Sequence, residues 1–284
     1  MIQKSYKNNK AILYLIPTPI GNLEDITIRS LNILKSLKVL LCEDTRTSKE
    51  LLDSYDIKID KLIACHDHNE ESMGEVVKSY LDQGIDVGLV TDRGTPIISD
   101  PGYKVVDYLA KRDYNIVSLP GPTAFVPALT ASGIAPEPFT FYGFLNSKRS
   151  TRVKELNKLK NIDNTIIFYE APHRLLDTLN DIKEIFGNRY ISISREISKL
   201  YETIYRGPID EVIDDIKNSI KGEMVIIVEG NNNVKDYSDL SIKEHVDLYI
   251  KDGMKSNDAI KIVAKERGVP KSDVYMEYVK ERDE

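Results

Sequence analysis

LVTDRGTPIISDPG, residues 89–102, opens as an apolar strand and closes as a stiff polar turn. Two aspartates, two glycines and two prolines fall within a few positions of one another. A loop that carries carboxylates at the end of a buried strand repels phosphates and suits a ligand with hydroxyls or a positive charge. YKVVDYLAKRD (103–113) follows with apolar residues at helical spacing, so the segment reads strand, loop, helix.

The same unit recurs on both sides. AILYLI (11–16), KVLLCED (38–44), KLIACH (61–66), DVGLVTD (86–92) and YNIVSLPG (114–121) read as five strands. DITIRSLNILKSL with Asp25 as N-cap, SKELLDSY, ESMGEVVKSYLDQG, YKVVDYLAKRD and PTAFVPALTASG read as the helices that follow them. Alternating strands and helices predict right-handed βαβ units and a mostly parallel sheet covered on both faces. Prolines cluster in IAPEPF (134–139), where the helical pattern stops. Beyond it FTFYGFL, NTIIFYE, RYISISRE, YETIYRG and EMVIIVEG predict five more strands with some antiparallel pairing. Helices are expected near 150–160, 174–186 and over IDEVIDDIKNSI (209–220). NNNVKDYSD (231–239) is a polar linker, and three short helices broken at Gly253 and Gly268-Val269-Pro270 complete the chain. The expected fold class is α/β: a parallel-sheet domain over 1–135, a mixed domain over 136–232 and a helical tail over 240–284.

The 284 residues are 41% hydrophobic and 30% charged, an ordinary globular balance. No apolar run approaches the ~20 residues of a membrane span, and the short N-terminal apolar run reads as a strand rather than a leader. Cys42 and Cys65 make neither a disulfide framework nor a zinc pattern, so a cytoplasmic protein is expected. The net charge of −6 argues against broad nucleic-acid binding, and no DNA partner is expected. Residues 148–160, KRSTRVKELNKLK, are a local exception with six basic residues and one acidic; they form a phosphate-binding patch or a solvated helix face.

Ligands of open parallel sheets sit beyond the carboxyl ends of the strands. The loops there are PTPIGN (17–22), CEDTRTS (42–48), CHDHNE (65–70), TDRGTPIISDPG (91–102) and LPGPTA (119–124). None contains GxGxxG or GxxxxGK[ST], which disfavours dinucleotides and nucleoside triphosphates. S-adenosylmethionine, a cation with a ribose diol and an amino-acid tail, fits better. Asp92 would accept from its hydroxyl or amino groups, the amides of Gly94 and Thr95 would reach an oxygen, and Gly121 and Thr123 would meet another edge. A turn or capping carboxylate is the alternative for Asp92. His66 and His68 share a strand face, yet no further Cys or His supports a metal site, and none is expected.

PTPIGNLEDITIRSL, CEDTRTSKELL, CHDHNE, VTDRGTPIISDPG, LPGPTA, FYGFL, FYEAPHR, SREISKLYETIYRG and KGEMVIIVEG occur together and in order. With them the chain resembles the tetrapyrrole-methylase superfamily, and more narrowly its branch of small-subunit ribosomal RNA cytidine-2′-O-methyltransferases. The resemblance covers about residues 11–230, and the helical tail matches that branch too. It implies two α/β domains with S-adenosylmethionine in the cleft between them, a homodimer, and a decoding-region cytidine of 16S rRNA as target, in naked RNA or an assembled small subunit. It places Asp92, Gly94, Thr95, Thr123 and Ala124 on the cofactor and has Phe168, Tyr169, Met224 and Val225 close its adenine side. The PTPIGN loop favours the RNA branch, with Thr18 and Asn22 as polar side chains beside the cleft or, for Asn22, as a cap. Arg93 departs from the pattern, where a small residue is expected; it is predicted to point out, toward RNA or the partner subunit.

Transfer to a ribose hydroxyl calls for positioning and a base. The candidates are Glu43 and Asp44 of CEDTR, His66 and His68 of CHDHNE, and Glu170 and His173 of FYEAPHR, with a carboxylate of CEDTR or FYEAPHR favoured. Arg46, Arg149, Arg152, Arg174, Arg195 and Lys199 are candidates for RNA phosphates, and His66 and Asn69 for RNA or ligand contact. Ion pairing with Glu43, Glu170 and Glu196 is the alternative for Arg46, Arg174 and Arg195. Asn69 or Asp67 is also a candidate cap for the helix that follows. Two rival functions share parts of this reading: a methylase of a tetrapyrrole or corrin precursor, and a non-catalytic RNA-binding assembly factor. The tail's helix–turn–helix look adds RNA or subunit contacts, or only packs.

Overall fold

The computed structural model describes residues 2–216, 221–231 and 240–280. Met1–Asn231 form one compact unit and Asn232–Glu284 another. The predicted linker residues 232–239, the end of the 209–220 helix and residues 281–284 lie outside the described residues.

The first sheet is built from β1 (Ile12–Leu15), β2 (Val39–Cys42), β3 (Lys61–Ala64), β4 (Val87–Val90) and β5 (Asn115–Ser118). Its order is β3-β2-β4-β1-β5, and every pairing is parallel. VLLC and VGLV are apolar throughout because both faces of these strands are covered. One face packs on α1 (Ile28–Ser36) and α2 (Thr45–Ser54) through Ile16, Leu34, Leu40 and Leu52. The other packs on α3 (Glu70–Leu81) and α4 (Tyr103–Ala110) through Leu41, Val77, Leu89 and Leu109.

Asp25 is not the cap of α1. It ends a 3-10 turn, Leu23–Asp25, that Asn22 caps, and the Thr27 side chain accepts from the Ser30 N–H to start the helix. A hydroxyl three residues before a free N–H has the reach that Asp25 lacks. Asn69 occupies the N-cap position of α3 but makes no capping bond.

The second sheet contains β6 (Phe139–Phe144), β7 (Thr165–Glu170), β8 (Tyr190–Arg195), β9 (Thr203–Pro208) and β10 (Met224–Val228) in the order β6-β7-β10-β8-β9. Only β6–β7 is parallel. α6 (Arg149–Leu159), α7 (Leu175–Phe186) and α8 (Ile209–Ile216) cover one face around Phe168, Ile193 and Ile226. The other face receives α5 (Phe125–Ala131), which follows β5: Ala128 and Leu129 pack against Ile167, Val225 and Ile227. This helix ties the two sheets into one unit.

In the helical unit, α9 (Ile242–Lys251), α10 (Ser256–Arg267) and α11 (Lys271–Lys280) enclose Val246, Ile260, Val263 and Val274. Ser241 and Glu244 form a reciprocal capping box at the start of α9.

Candidate active site

Strand order brings the loops together. Because β2, β4, β1 and β5 are neighbours, their carboxyl ends present CEDTR, TDRGTPIISDPG, PTPIGN and LPGPTA side by side. A two-way backbone exchange between Thr18 and Gly94, at 2.9 and 3.0 Å, fastens the second of these to the third. Facing them are the ends of β7 and β10, where Val225 pairs with Tyr169 and Met224 with Glu170. Between the two sets lies a cavity of about 300 Å³.

Seven of the twelve expected cofactor residues line this cavity: Gly94, Thr95, Thr123, Ala124, Tyr169, Met224 and Val225. The other five take different places. Phe168 is fully buried on the helical side of the second sheet, since strand neighbours face opposite ways and Tyr169 takes the cleft side. Thr18 is fully buried, its hydroxyl donating to the Thr91 carbonyl. Asn22 caps the 3-10 turn. Gly121 packs on Pro17, where a Cβ would come within 2.7 Å of the ring, and borders a second hollow that shares Ile20, Thr123 and Ile197 with the cleft. Asp92 turns toward CEDTR: its carboxylate accepts from the Asp44 N–H at 3.1 Å, and its own N–H points to Glu43 Oε2 at 3.3 Å. The Gly94 amide is taken by Thr18, so it is not available to a ligand.

Arg93 is exposed, as an outward orientation requires. It lines the cleft mouth and pairs with Glu223 at the start of β10, because that carboxylate offers the guanidinium a partner within the same chain.

The sequence profile of the tetrapyrrole (corrin/porphyrin) methylases matches residues 12–213. Ribosomal RNA small subunit methyltransferase I of Bacillus subtilis (strain 168) is 46% identical over 96% of this chain and 95% of its own. Its counterpart in Halalkalibacterium halodurans is 44% identical over 98% and 99%. The chain belongs to the tetrapyrrole methylase family, in its ribosomal RNA small subunit methyltransferase I branch. Uroporphyrin-III C-methyl transferase from Thermus thermophilus, complexed with S-adenyl homocysteine, shares the fold: TM-score 0.54, 17% identity, 77% of this chain and 97% of that one.

As a member of this family the chain is a methyltransferase, with S-adenosylmethionine as its cofactor. The cleft fits that group in size, about 300 Å³ being at the small end of ligand pockets. It fits in chemistry too, with apolar walls from Ile20, Ile197 and Val225 for a base and a carboxylate, Asp100, beside them for a cation. Sequence reasoning misses Asp100, although it stands in the loop that decides the fold. Burial pushes its carboxyl up to about 7, and the charges of Glu43, Asp92 and Asp67 push the same way. The signal that could have found it is an aspartate before proline, late in a loop beyond a central strand.

The base candidates from CEDTR, CHDHNE and FYEAPHR are placed less favourably. Glu170 borders the cleft, but its carboxylate is 1% exposed and fully engaged. It accepts from the Ala171 N–H (2.8 Å), from Arg174 Nε (2.8 Å) and Nη2 (2.5 Å), and from the Thr178 hydroxyl (2.5 Å). Asp44 caps α2, and Arg46 beside it holds its carboxyl down at about 2. Glu43, raised chiefly by burial, serves the Asp92 N–H and does not line the cleft. His173 is exposed on the 3-10 turn Pro172–Arg174. His66 and His68 are exposed, with their rings edge-on at 5.9 Å.

Several expected RNA contacts are internal. Arg152 is 4% exposed; it holds Asp181 at 2.7 Å and the Ser147 carbonyl at 3.2 Å, so it cannot meet a phosphate. Asn69 closes its own loop, accepting from the His66 N–H and donating to the Ala64 carbonyl. Arg174 pairs with Glu170, the expected alternative, whereas Arg46 pairs with Asp44 and Arg195 donates to the Lys221 carbonyl. Arg149 bridges Asp181 and Glu184, and Lys199 bridges Glu196 and Glu223. Lys148, Lys154, Lys158 and Lys160 of the basic run are exposed.

Proposed function

We propose that this methyltransferase moves a methyl group from S-adenosylmethionine to the 2′-oxygen of a cytidine ribose in the decoding region of small-subunit ribosomal RNA. The observation that carries the reading is near full-length identity, 46%, with a protein named for small-subunit ribosomal RNA methylation. The ordered set of nine motifs supports the cytidine and 2′-oxygen assignment by family resemblance. The cofactor supplies an electrophilic methyl on a good leaving group, so the protein's work is to position the hydroxyl, exclude water and take a proton. Gly94, Thr95, Thr123, Ala124, Tyr169, Met224 and Val225 hold the cofactor, with the apolar wall of β10 against its base. Exposed Lys148, Lys154 and Lys158, at and along α6, meet RNA phosphates. The enzyme acts as a cytoplasmic homodimer, and light scattering on the purified protein tests the dimer.

The test of the reaction uses radiolabelled S-adenosylmethionine and small subunits that lack the modification. The RNA is digested to nucleosides and the labelled product identified. Labelled 2′-O-methylcytidine is expected. Label in another nucleoside overturns the acceptor assignment. Label in a corrin precursor but not in RNA overturns the branch of chemistry altogether.

A further inference from the structure

We propose that Asp100 is the general base that removes the proton from the attacking ribose hydroxyl. The proposal rests on the reaction proposed above and assigns a role that its favoured carboxylates, Glu43 and Glu170, are badly placed to fill.

Five titratable side chains border the cleft: Arg93, Asp100, Tyr169, Glu170 and Glu223. Arg93 and Glu223 hold each other. Burial pushes the Tyr169 phenol above its ordinary range, so it keeps its proton. Glu170 is surrounded by donors on Ala171, Arg174 and Thr178. Of the three carboxylates, Asp100 alone accepts no hydrogen bond from the described residues, whereas Glu170 and Glu223 are each held by cationic donors. A base works best when no cation holds its charge, and Asp100 is the cleft carboxylate without an ion-pair partner among the described residues.

Its position is also built rather than incidental. Ile97 and Ser99 adopt φ values of 79° and 66°, the left-handed region that a β-branched residue rarely enters. The far end of the loop is clamped by the buried Glu70 carboxylate, which accepts from the N–H groups of Gly102 (2.8 Å) and Lys104 (2.6 Å). Such conformations persist where the surroundings enforce them, and they cluster at working sites. Here they turn Asp100 into the cleft.

Around Asp100 the cleft also carries Arg93 from the same loop, Tyr169 and Glu170 from β7 and Glu223 before β10. The charges of Glu43 after β2, Asp67 after β3 and Asp92 in its own loop reach it as well. Glu43, Asp67 and Asp92 disfavour its charged form and so favour its taking a proton. In the step, the 2′-oxygen forms a bond to the methyl carbon. The carbon–sulfur bond breaks with its electron pair passing to sulfur, and the hydroxyl proton moves to Asp100. A cation and a carboxylate become a neutral thioether and a carboxylic acid, so charge is lost within the cleft rather than separated.

Single-turnover methylation of small subunits is to be measured from pH 5.5 to 8.5 for the wild type, Asp100→Asn and Glu43→Gln, with S-adenosylhomocysteine affinity by calorimetry. Carboxyl ¹³C resonances are to be titrated in the cofactor-free protein. We expect Asp100→Asn to lose about 100-fold or more in rate. Its affinity for S-adenosylhomocysteine, which lacks the sulfonium charge, should match the wild type, and its melting temperature at neutral pH should not fall below the wild-type value. A wild-type rate limb and a carboxyl resonance, both near pH 7, should vanish in that variant, whereas Glu43→Gln moves both to lower pH and keeps most of the activity. A near-normal rate in Asp100→Asn, or a limb lost in Glu43→Gln instead, overturns the assignment while leaving the reaction standing. If wild-type protein binds S-adenosylhomocysteine but labels no RNA, the reaction and the base fall together.

Discussion

Glu170 and Arg93 show why a charged residue in a motif does not declare its task. Both border the cleft, yet Glu170 is buried with its donors around it while the Arg93–Glu223 pair is about half exposed on each side, 52% and 63%. Glu170→Gln keeps an acceptor oxygen but leaves Arg174 partly buried without a countercharge, and should cost about 3 kcal/mol in urea unfolding. Arg93→Ala should cost under ~1 kcal/mol, because solvent screens an exposed pair. Asp100 gives a pH signature of its own. Its folded carboxyl is raised from an ordinary 3.8 to about 7. Between those values the folded state binds more protons than the unfolded one, so this group makes stability fall as pH rises across the window. Melting temperatures from pH 4 to 7.5 should therefore decline less steeply in Asp100→Asn than in the wild type. An unchanged slope would show that Asp100 titrates normally.

At the scale of elements, periodicity is enough to locate ten strands and the main helices, because each strand is an uninterrupted or alternating apolar run and each helix carries a single apolar stripe. Which partner a polar side chain takes is not legible. Asp25 has the look of a cap because it precedes the apolar spacing, but Thr27 holds the free N–H. Phe168 and Tyr169 stand together in FYEAPHR, although strand geometry sends them to opposite faces. The basic run 148–160 is legible as a helix and not as two faces. Arg152 turns inward to Asp181 on α7, which leaves the lysines as the exposed set. Replacing Lys148, Lys154 and Lys158 together by Glu should weaken RNA binding. It should also flatten the dependence of log affinity on log salt by roughly 0.7–0.9 for each phosphate no longer neutralised. Cofactor affinity should not change. An unaltered salt slope in filter binding would remove α6 from the RNA surface.

At the scale of the whole molecule, the cleft exists because two sheets of different design meet through α5. A parallel sheet gathers its loops at one end, and a mostly antiparallel sheet lays the ends of two apolar strands across them. From sequence, that complementarity can be anticipated only as two domains with a ligand between them. The cavity's lining depends on pairing register and loop fastening that no single segment encodes. The seating of the cofactor in this cleft underlies every other assignment, and Ala124 lies in its wall at the start of α5. The decisive measurement is the calorimetric affinity for S-adenosylhomocysteine of the wild type and of Ala124→Phe, with melting temperature confirming that both fold. Wild-type binding is expected, with a loss of at least about tenfold, ~1.4 kcal/mol, when the ring fills the cavity. Equal affinity in a folded Ala124→Phe protein would contradict that seating and place the cofactor elsewhere.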